Sequence, residues 1–270
     1  MFRKTYNFSG ISVAVSSDER FSEGDKLRRF ECGVGKADCE ISFEFTHALP
    51  ELPELDGEVT SRYLRYSEGS ERHGMPYAYA EHCGKSGRLI VLEEYRGRLS
   101  AEDVLRFIDF NHLLLENGAA VIHASCVSTD AGAILFSAPC GTGKSTQAQL
   151  WRDHRGAVIV NGDRCLIRMS SEGFTAGGIY YSGTSEFCEN ITRPLRAVVL
   201  LEQAKENSVS SLRGADSFMK LLRQCAYKND IPSDPIRAVE LIAKLVNTVP
   251  VLRLACLPDE SAVEALERTL

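Results

Sequence analysis

The chain has no C-x-x-C pair among its nine cysteines, no internal repeat or low-complexity tract, and no apolar run near the ~18 residues of a membrane span. Each absence excludes something. The cysteines are odd in number, and Cys126, Cys165 and Cys256 sit inside apolar runs, where cysteine acts as a small hydrophobe. Thiols rather than disulfides are therefore expected. The opening MFRKTYNFSGISVAV lacks the apolar core of a signal peptide, which leads to the expectation of a reducing cytoplasm and no membrane partner. Positive charge is also short: 31 Lys and Arg face 37 Asp and Glu, a net charge of −6. That balance argues against a chain-wide nucleic-acid footprint and leaves room for a small basic site only.

What remains is ordinary globular material. Apolar residues are 44% and charged residues 25% of 270, enough for one large or two modest domains. Residues 1–98 read as β-rich, with short strand-like runs at 11–15, 39–46, 62–67 and 87–95, and ISFEF alternates as a half-buried strand should. The stretch 48–58 is a proline-bearing connection, and 73–87 reads as a loop or a broken hairpin. From 99 onward the pattern changes. Ser100 followed by Asp103 resembles a capping box, and the apolar spacing of Val104, Phe107, Ile108, Leu114 and Leu115 predicts one helix ending at Asn117-Gly118, a hinge between the two parts. Strands are expected at 119–127, 133–137, 156–163, 196–202 and 249–255, and helices after the loop at 138–143 and at 215–226, 234–247 and 259–269. Alternating strands and helices imply an α/β sheet with helices on its faces. In the 234–247 helix, Ile236, Val239, Ile242 and Val246 are expected to face the core.

The decisive stretch is AILFSAPCGTGKSTQAQLW, residues 133–151. It follows G-x-x-x-x-G-K-[ST] except at the first position, where Ala138 stands for glycine. An apolar strand enters and a helix leaves, the context in which backbone N–H groups converge on a phosphate. Pro139, Cys140, Gly141, Thr142, Gly143, Lys144, Ser145 and Thr146 are thus the candidate phosphate-binding residues. Lys144 would supply the point charge and Ser145 a ligand for Mg²⁺. Asp163, at the end of the next apolar strand, is the candidate carboxylate for Mg²⁺, although NGD is also a favourable turn sequence.

Taken together, IHAS, SAPCGTGKSTQAQLW, NGDRCLI, SGTSEFCENITRPLRAVVLLEQ and VPVLRLACLPDESAVEAL resemble the bacterial HPr serine kinase superfamily, which shares its nucleotide-binding core with phosphoenolpyruvate carboxykinase. The likeness covers about 119–270 and is nearer to the HPr-kinase-like branch than to the HPr kinases themselves. It implies a P-loop sheet with flanking helices, phosphoenolpyruvate carboxykinase-like, beside a smaller β-rich N-terminal domain. It also implies ATP and Mg²⁺ as cofactors, phosphoryl transfer to a hydroxyl, and, because members often form rings, a homo-oligomer. His123 matches a histidine that faces the phosphates. Asp163 falls in an acidic motif that usually has two adjacent carboxylates, whereas this chain has Gly162-Asp163-Arg164. His123 is accordingly the expected general base, with Asp163 as the remaining choice. Arg164 is a candidate for neutralising developing charge or for a surface pair.

Weaker signals surround these. Residues 177–190 could cover the phosphates, with Ser182, Thr184 and Ser185 as donors, or be an ordinary solvated loop. Arg193 and Arg196 could grip an anion or coat a surface. Trp151 reads as core packing, and Tyr180 and Tyr181 could stack on adenine or, the favoured reading, pack in the core. Two function classes follow: an ATP-dependent kinase acting on a peptide, protein or small-molecule hydroxyl, and a catalytically weak nucleotide-binding regulatory module. Phosphoenolpyruvate carboxykinase itself is disfavoured by length and by the lack of further metal ligands. The acceptor is expected to be recognised by the N-terminal part together with 177–190.

Overall fold

The computed structural model describes residues 1–33, 35–51, 61–66 and 74–270. The chain divides into two compact units, Met1–Asn117 and Gly118–Leu270. Sequence pattern placed the boundary at 98/99. The contacts place it after Asn117, so the helical segment expected as a hinge belongs to the first unit.

Unit 1 carries a seven-stranded sheet in the order β3-β1-β2-β4-β7-β6-β5. Its elements are β1 (Phe2–Phe8), β2 (Ile11–Ser17), α1 (Asp25–Arg28), β3 (Glu31–Cys32), β4 (Cys39–Thr46), β5 (Ser61–Tyr66), β6 (Pro76–Cys83), β7 (Ser86–Leu92), α2 (Ala101–Phe107) and α3 (Phe110–Glu116). The alternation in β4 holds: Cys39, Ile41 and Phe43 are buried while Glu40, Ser42 and Glu44 face solvent. The stretch expected as a loop or broken hairpin is an intact hairpin, β6 pairing antiparallel with β7 from Ala78↔Val91 to Cys83↔Ser86. Its proline, Pro76, sits at the first position of β6, where a missing N–H costs least. His73, Ser67 and most of the proline-bearing connection lie outside the described residues. The capping box forms as read, Ser100 accepting from the Asp103 amide. The single expected helix is instead two, broken at Asp109 with φ 59, a left-handed conformation that a short polar side chain tolerates.

Unit 2 carries a nine-stranded sheet, β10-β8-β11-β12-β13-β16-β14, with β15 added on β8 and with β9 pairing both β13 and β8. The elements are β8 (Ala119–Thr129), β9 (Gly132–Ser137), α4 (Lys144–Arg155), β10 (Val158–Asn161), β11 (Arg164–Ser170), β12 (Gly173–Gly177), β13 (Thr192–Gln203), β14 (Ser208–Ser211), α5 (Ala215–Leu222), β15 (Cys225–Ala226), α6 (Ser233–Thr248), β16 (Val251–Cys256) and α7 (Glu260–Glu267). β9, β13 and β16 run parallel. Phe136, Trp151, Val199, Leu254, Val263 and Leu266 form one core between this part of the sheet and α4 and α7. One helix face differs from expectation. In α6 the buried residues include Ala238, Leu241, Ile242 and Leu245, whereas Ile236 and Val239 are exposed. The apolar positions of α6 span more than one stripe, and only contact with β8 and α5 selects which one is covered. No helix among the described residues is long and apolar enough to cross a membrane.

The core of unit 1 contains two adjacent imidazoles, His82 and His112, with ring centroids 4.4 Å apart and planes tilted by 42°. His82 Nε2 donates to the Ile108 carbonyl, and the side chain has no exposed surface. Burial, then the neighbouring His112, lowers its pKa from 6.5 to about 3. The unfolded chain takes up this proton near pH 6.5 and the folded unit only near 3. Stability is therefore full above that range and falls as the pH drops, by at most about 1.4 kcal/mol per pH unit. Urea unfolding of unit 1 between pH 7 and pH 4 should show this decline, and His82→Gln should flatten it. An equal pH slope in both proteins would remove His82 as the cause.

Candidate functional site

The site is assembled from three stretches of unit 2. The first is the turn between β9 and α4. Positive φ occurs at Gly141 (77°) and Gly143 (115°), and a Cβ at either would meet no atom within 4 Å. Open space therefore lies beside the two glycines, in keeping with close approach of a ligand to backbone. Ala138 has no such conformation: among the described residues only Ser9 and Asp109 are non-glycine with positive φ. Its backbone therefore does not require the missing glycine, and its methyl is buried in the core shared with Trp151. Lys144 opens α4 and is 7% exposed, its Nζ donating to the carbonyls of Ala138 at 2.9 Å and Pro139 at 3.2 Å. Burial lowers the Lys144 pKa, against the opposing charge of Asp163. The first intrahelical partner of α4 is the Gly143 carbonyl, accepting from Gln147. The amides before Gln147 have no turn above them to bond, and their dipoles favour an anion. Ser145 and Cys140 are exposed and Thr146 half-buried. A cleft of about 470 Å³ lined by Pro139, Cys140, Gly141, Thr142, Leu201, Glu202 and Gln203 opens where β9 and β13 end. The carboxyl ends of parallel strands are where α/β sheets commonly bind ligands.

The second stretch is the turn from β10 to β11. Asn161 is fully buried, and its Oδ1 accepts from the amides of Asp163 at 3.0 Å and Arg164 at 2.9 Å. Its Nδ2 donates to the carbonyls of Ile179 at 3.1 Å and Tyr181 at 3.2 Å. The third is β8: the register pairs His123 directly with Arg164. Asp163 is held by both of them, Oδ1 lying 3.1 Å from His123 Nε2 and Oδ2 lying 3.1 Å from Arg164 Nε. His123 Nδ1 lies 3.1 Å from the Gln224 side chain, and the His123 amide donates to the Gln224 carbonyl at 2.8 Å. Burial lowers the His123 pKa, followed by the charges of Lys144 and Arg164, against Asp163 and Gln224. The ring is thus neutral at neutral pH and its contact with Asp163 is a hydrogen bond. A ring that gives its Nε2 proton to Asp163 keeps a lone pair on Nδ1, which the Gln224 amide meets with an N–H after a half-turn.

The structure therefore gathers His123, Asp163 and Arg164 into one contact, with Lys144 near enough for its charge to act on His123 and Asp163. Asn161 and Gln224 were not singled out in the sequence. Asn161 was visible only as the start of an NGD turn, and Gln224 carried no signal. The loop at 178–191 packs on the turn rather than presenting a row of free donors. Ser182 donates to the Ser185 carbonyl at 2.7 Å and Ser185 Oγ accepts from the Phe187 amide at 3.2 Å. A Cβ at Gly162 would lie 2.0 Å from Ser185 Oγ, and one at Gly183 would lie 2.7 Å from Asp163 Oδ2. Position 162 has no room for a second acid because the Ser185 hydroxyl fills that space. Tyr180 is buried with Tyr181 edge-on to it at 4.9 Å, so this pair packs as the sequence suggested.

The turn has room for a phosphate chain beside Gly141 and Gly143, and Lys144 Nζ, engaged by the Ala138 and Pro139 carbonyls, would have to turn from them to meet it. For Mg²⁺, the described residues contain no cluster of three His, Cys, Asp or Glu. That ion needs only one or two protein oxygens beside phosphates and water, and the Ser145 hydroxyl and Asp163 carboxylate are of the right kind.

No protein-family model and no curated protein matches the sequence. Among solved structures, the chain is similar to the Hpr(Ser) kinase/phosphatase from Coxiella burnetii at 13% identity, over 55% of this chain and 94% of that chain, with a TM-score of 0.34. This is a distant structural likeness, and the residue roles rest on the geometry above.

Replacing Asp163 by Asn removes the one charge that raises the His123 pKa. The His123 titration, followed by NMR, should move further below 6.5 in Asp163→Asn. An unmoved titration would mean that Asp163 does not face the ring in solution.

Proposed function

We propose that unit 2 is an ATP-dependent phosphotransferase acting on a hydroxyl of a peptide, protein or small molecule. The observation that carries this reading is the contact of Asp163 with His123 and Arg164 beside the Lys144 turn, made from three separated stretches of chain. Loop amides and Lys144 bind the β- and γ-phosphates, and the acceptor oxygen attacks the γ-phosphorus as its bond to the bridging oxygen breaks. The departing ADP keeps that electron pair. The acceptor proton goes to the His123–Asp163 pair. Because Nε2 already donates to the carboxylate, Asp163 receives the proton and His123 holds it in place. Arg164 balances charge on the second carboxylate oxygen. Ser145 and Asp163 would hold Mg²⁺, which supplies neutralisation of the phosphate charge when bound.

A second reading has its own support. Both oxygens of Asp163 are engaged, and the space for a second carboxylate is filled by Ser185. A site so arranged can bind nucleotide while transferring phosphate slowly, as a regulatory module would.

Labelled ATP with a panel of hydroxyl acceptors separates the two. Lys144→Ala should weaken nucleotide binding by roughly 10–100-fold, the equivalent of a lost charged hydrogen bond. His123→Ala should keep nucleotide affinity and lose turnover by ~10²–10⁴-fold. Turnover in the unchanged protein should fall as the pH drops through the lowered His123 pKa, since only the neutral ring leaves Asp163 its proton-accepting role. Tight binding without transfer to any acceptor supports the module, and unchanged binding by Lys144→Ala defeats both readings.

A further inference from the structure

The end of α4 away from the phosphate turn borders a second cavity, of about 350 Å³, lined by Ser128, Thr129, Trp151, Arg155, Arg193, Arg196 and Glu267 among others. α4 has 12 residues, so at 1.5 Å per residue the two places are about 18 Å apart. Arg193 and Arg196 are three apart on β13, and plain strand alternation would send them to opposite faces. The register of β13 against β9 shifts between Leu195 and Ala197. This irregularity resets the alternation and re-aims a side chain, so that both arginines line one cavity. β9 accommodates it with Gly132, φ 125, where a Cβ would lie 2.7 Å from the Pro194 carbonyl oxygen and 3.5 Å from Arg196 Cβ.

The lining sets three guanidinium groups, Arg155, Arg193 and Arg196, against two carboxylates, Asp130 and Glu267. Arg155 is tied to Glu267 at 2.9 Å and Glu260 at 3.5 Å. Arg193 and Arg196 have no ion pair among the described residues. Trp151 is 4% exposed, and its indole N–H has no acceptor, which is unusual for a buried donor. Thr129 already donates to the Gly132 carbonyl at 2.8 Å. A ligand suited to this lining brings acceptors and negative charge. One guanidinium fork satisfies a carboxylate, whereas two forks from different positions suit the three terminal oxygens of a phosphate. The negative end of the α4 dipole opposes an anion here, and Arg152 and Arg155 in its last turn are paired with Asp153, Glu260 and Glu267, so the attraction has to come from Arg193 and Arg196.

We propose that this cavity binds a small phosphate monoester, with the phosphate between Arg193 and Arg196 and the organic body against Trp151. The volume is in the range of small-molecule sites. This proposal is independent of the phosphotransfer reading.

Trp151 is the only tryptophan of the chain, so its fluorescence reports on the cavity. Inorganic phosphate and glycerol 3-phosphate would be titrated at constant ionic strength. A saturable change is expected with both, tighter for the monoester, preserved in Lys144→Ala, and weakened at least ~10-fold in the double variant Arg193→Ala/Arg196→Ala, the loss expected for charged hydrogen bonds. Should the alanine variant melt early, Arg193→Lys/Arg196→Lys keeps the charge without the forks and should still bind more weakly than the unchanged protein. A response that is absent, that disappears in Lys144→Ala, or that persists unchanged in both arginine variants overturns the proposal.

Discussion

The side-chain amide of Asn161 is fully buried, and the geometry of the candidate site depends on it. Its oxygen fixes the amides of Asp163 and Arg164, and its nitrogen holds two carbonyls of the following loop. Leaving any one such buried group unsatisfied costs about 1–3 kcal/mol, so the four bonds act as one constraint. The constraint fixes the backbone that carries Asp163 and holds the loop so that Gly183 lies against the Asp163 carboxylate and Ser185 against Gly162. A leucine or alanine at this position would leave the turn amides and the loop carbonyls without partners at once.

Around that turn, charges are arranged by strand register. The antiparallel pairing of β8 with β11 sets His123 opposite Arg164, and the carboxylate between them is drawn to both. Lys144 adds a second positive group beside Arg164, and burial lowers its pKa. A chain with a net charge of −6 thus concentrates Lys144, Arg164 and the helix dipole of α4 at one end of the helix, and Arg155, Arg193 and Arg196 at the other. Local geometry, not overall charge, decides where an anion can be held.

Much of this was legible in the residues. The strand–turn–helix order around GTGKST appears as read, because glycine backbone freedom and the apolar periodicity on either side are local properties. The capping box at Ser100 and the alternation of β4 are local in the same sense. The misread places have a common cause. The helix break at Asp109, the exposed Ile236 and Val239, and the intact β6–β7 hairpin depend on which neighbour is available for packing or pairing. Sequence spacing cannot choose among several apolar stripes or rank a hairpin partner.

The sequence by itself determined the glycine-bearing turn between β9 and α4, the acidic residue after β10 and a histidine on β8, since each is set by residue type at short separation. Only the tertiary structure decided that Ala138 sits in ordinary backbone, that Ser185 fills the space beside Gly162, that Gln224 meets His123, and that a register shift in β13 brings Arg193 and Arg196 to one cavity. Those are contacts between residues as much as 101 positions apart, and they exist only once β-sheet register has fixed which side chains face each other.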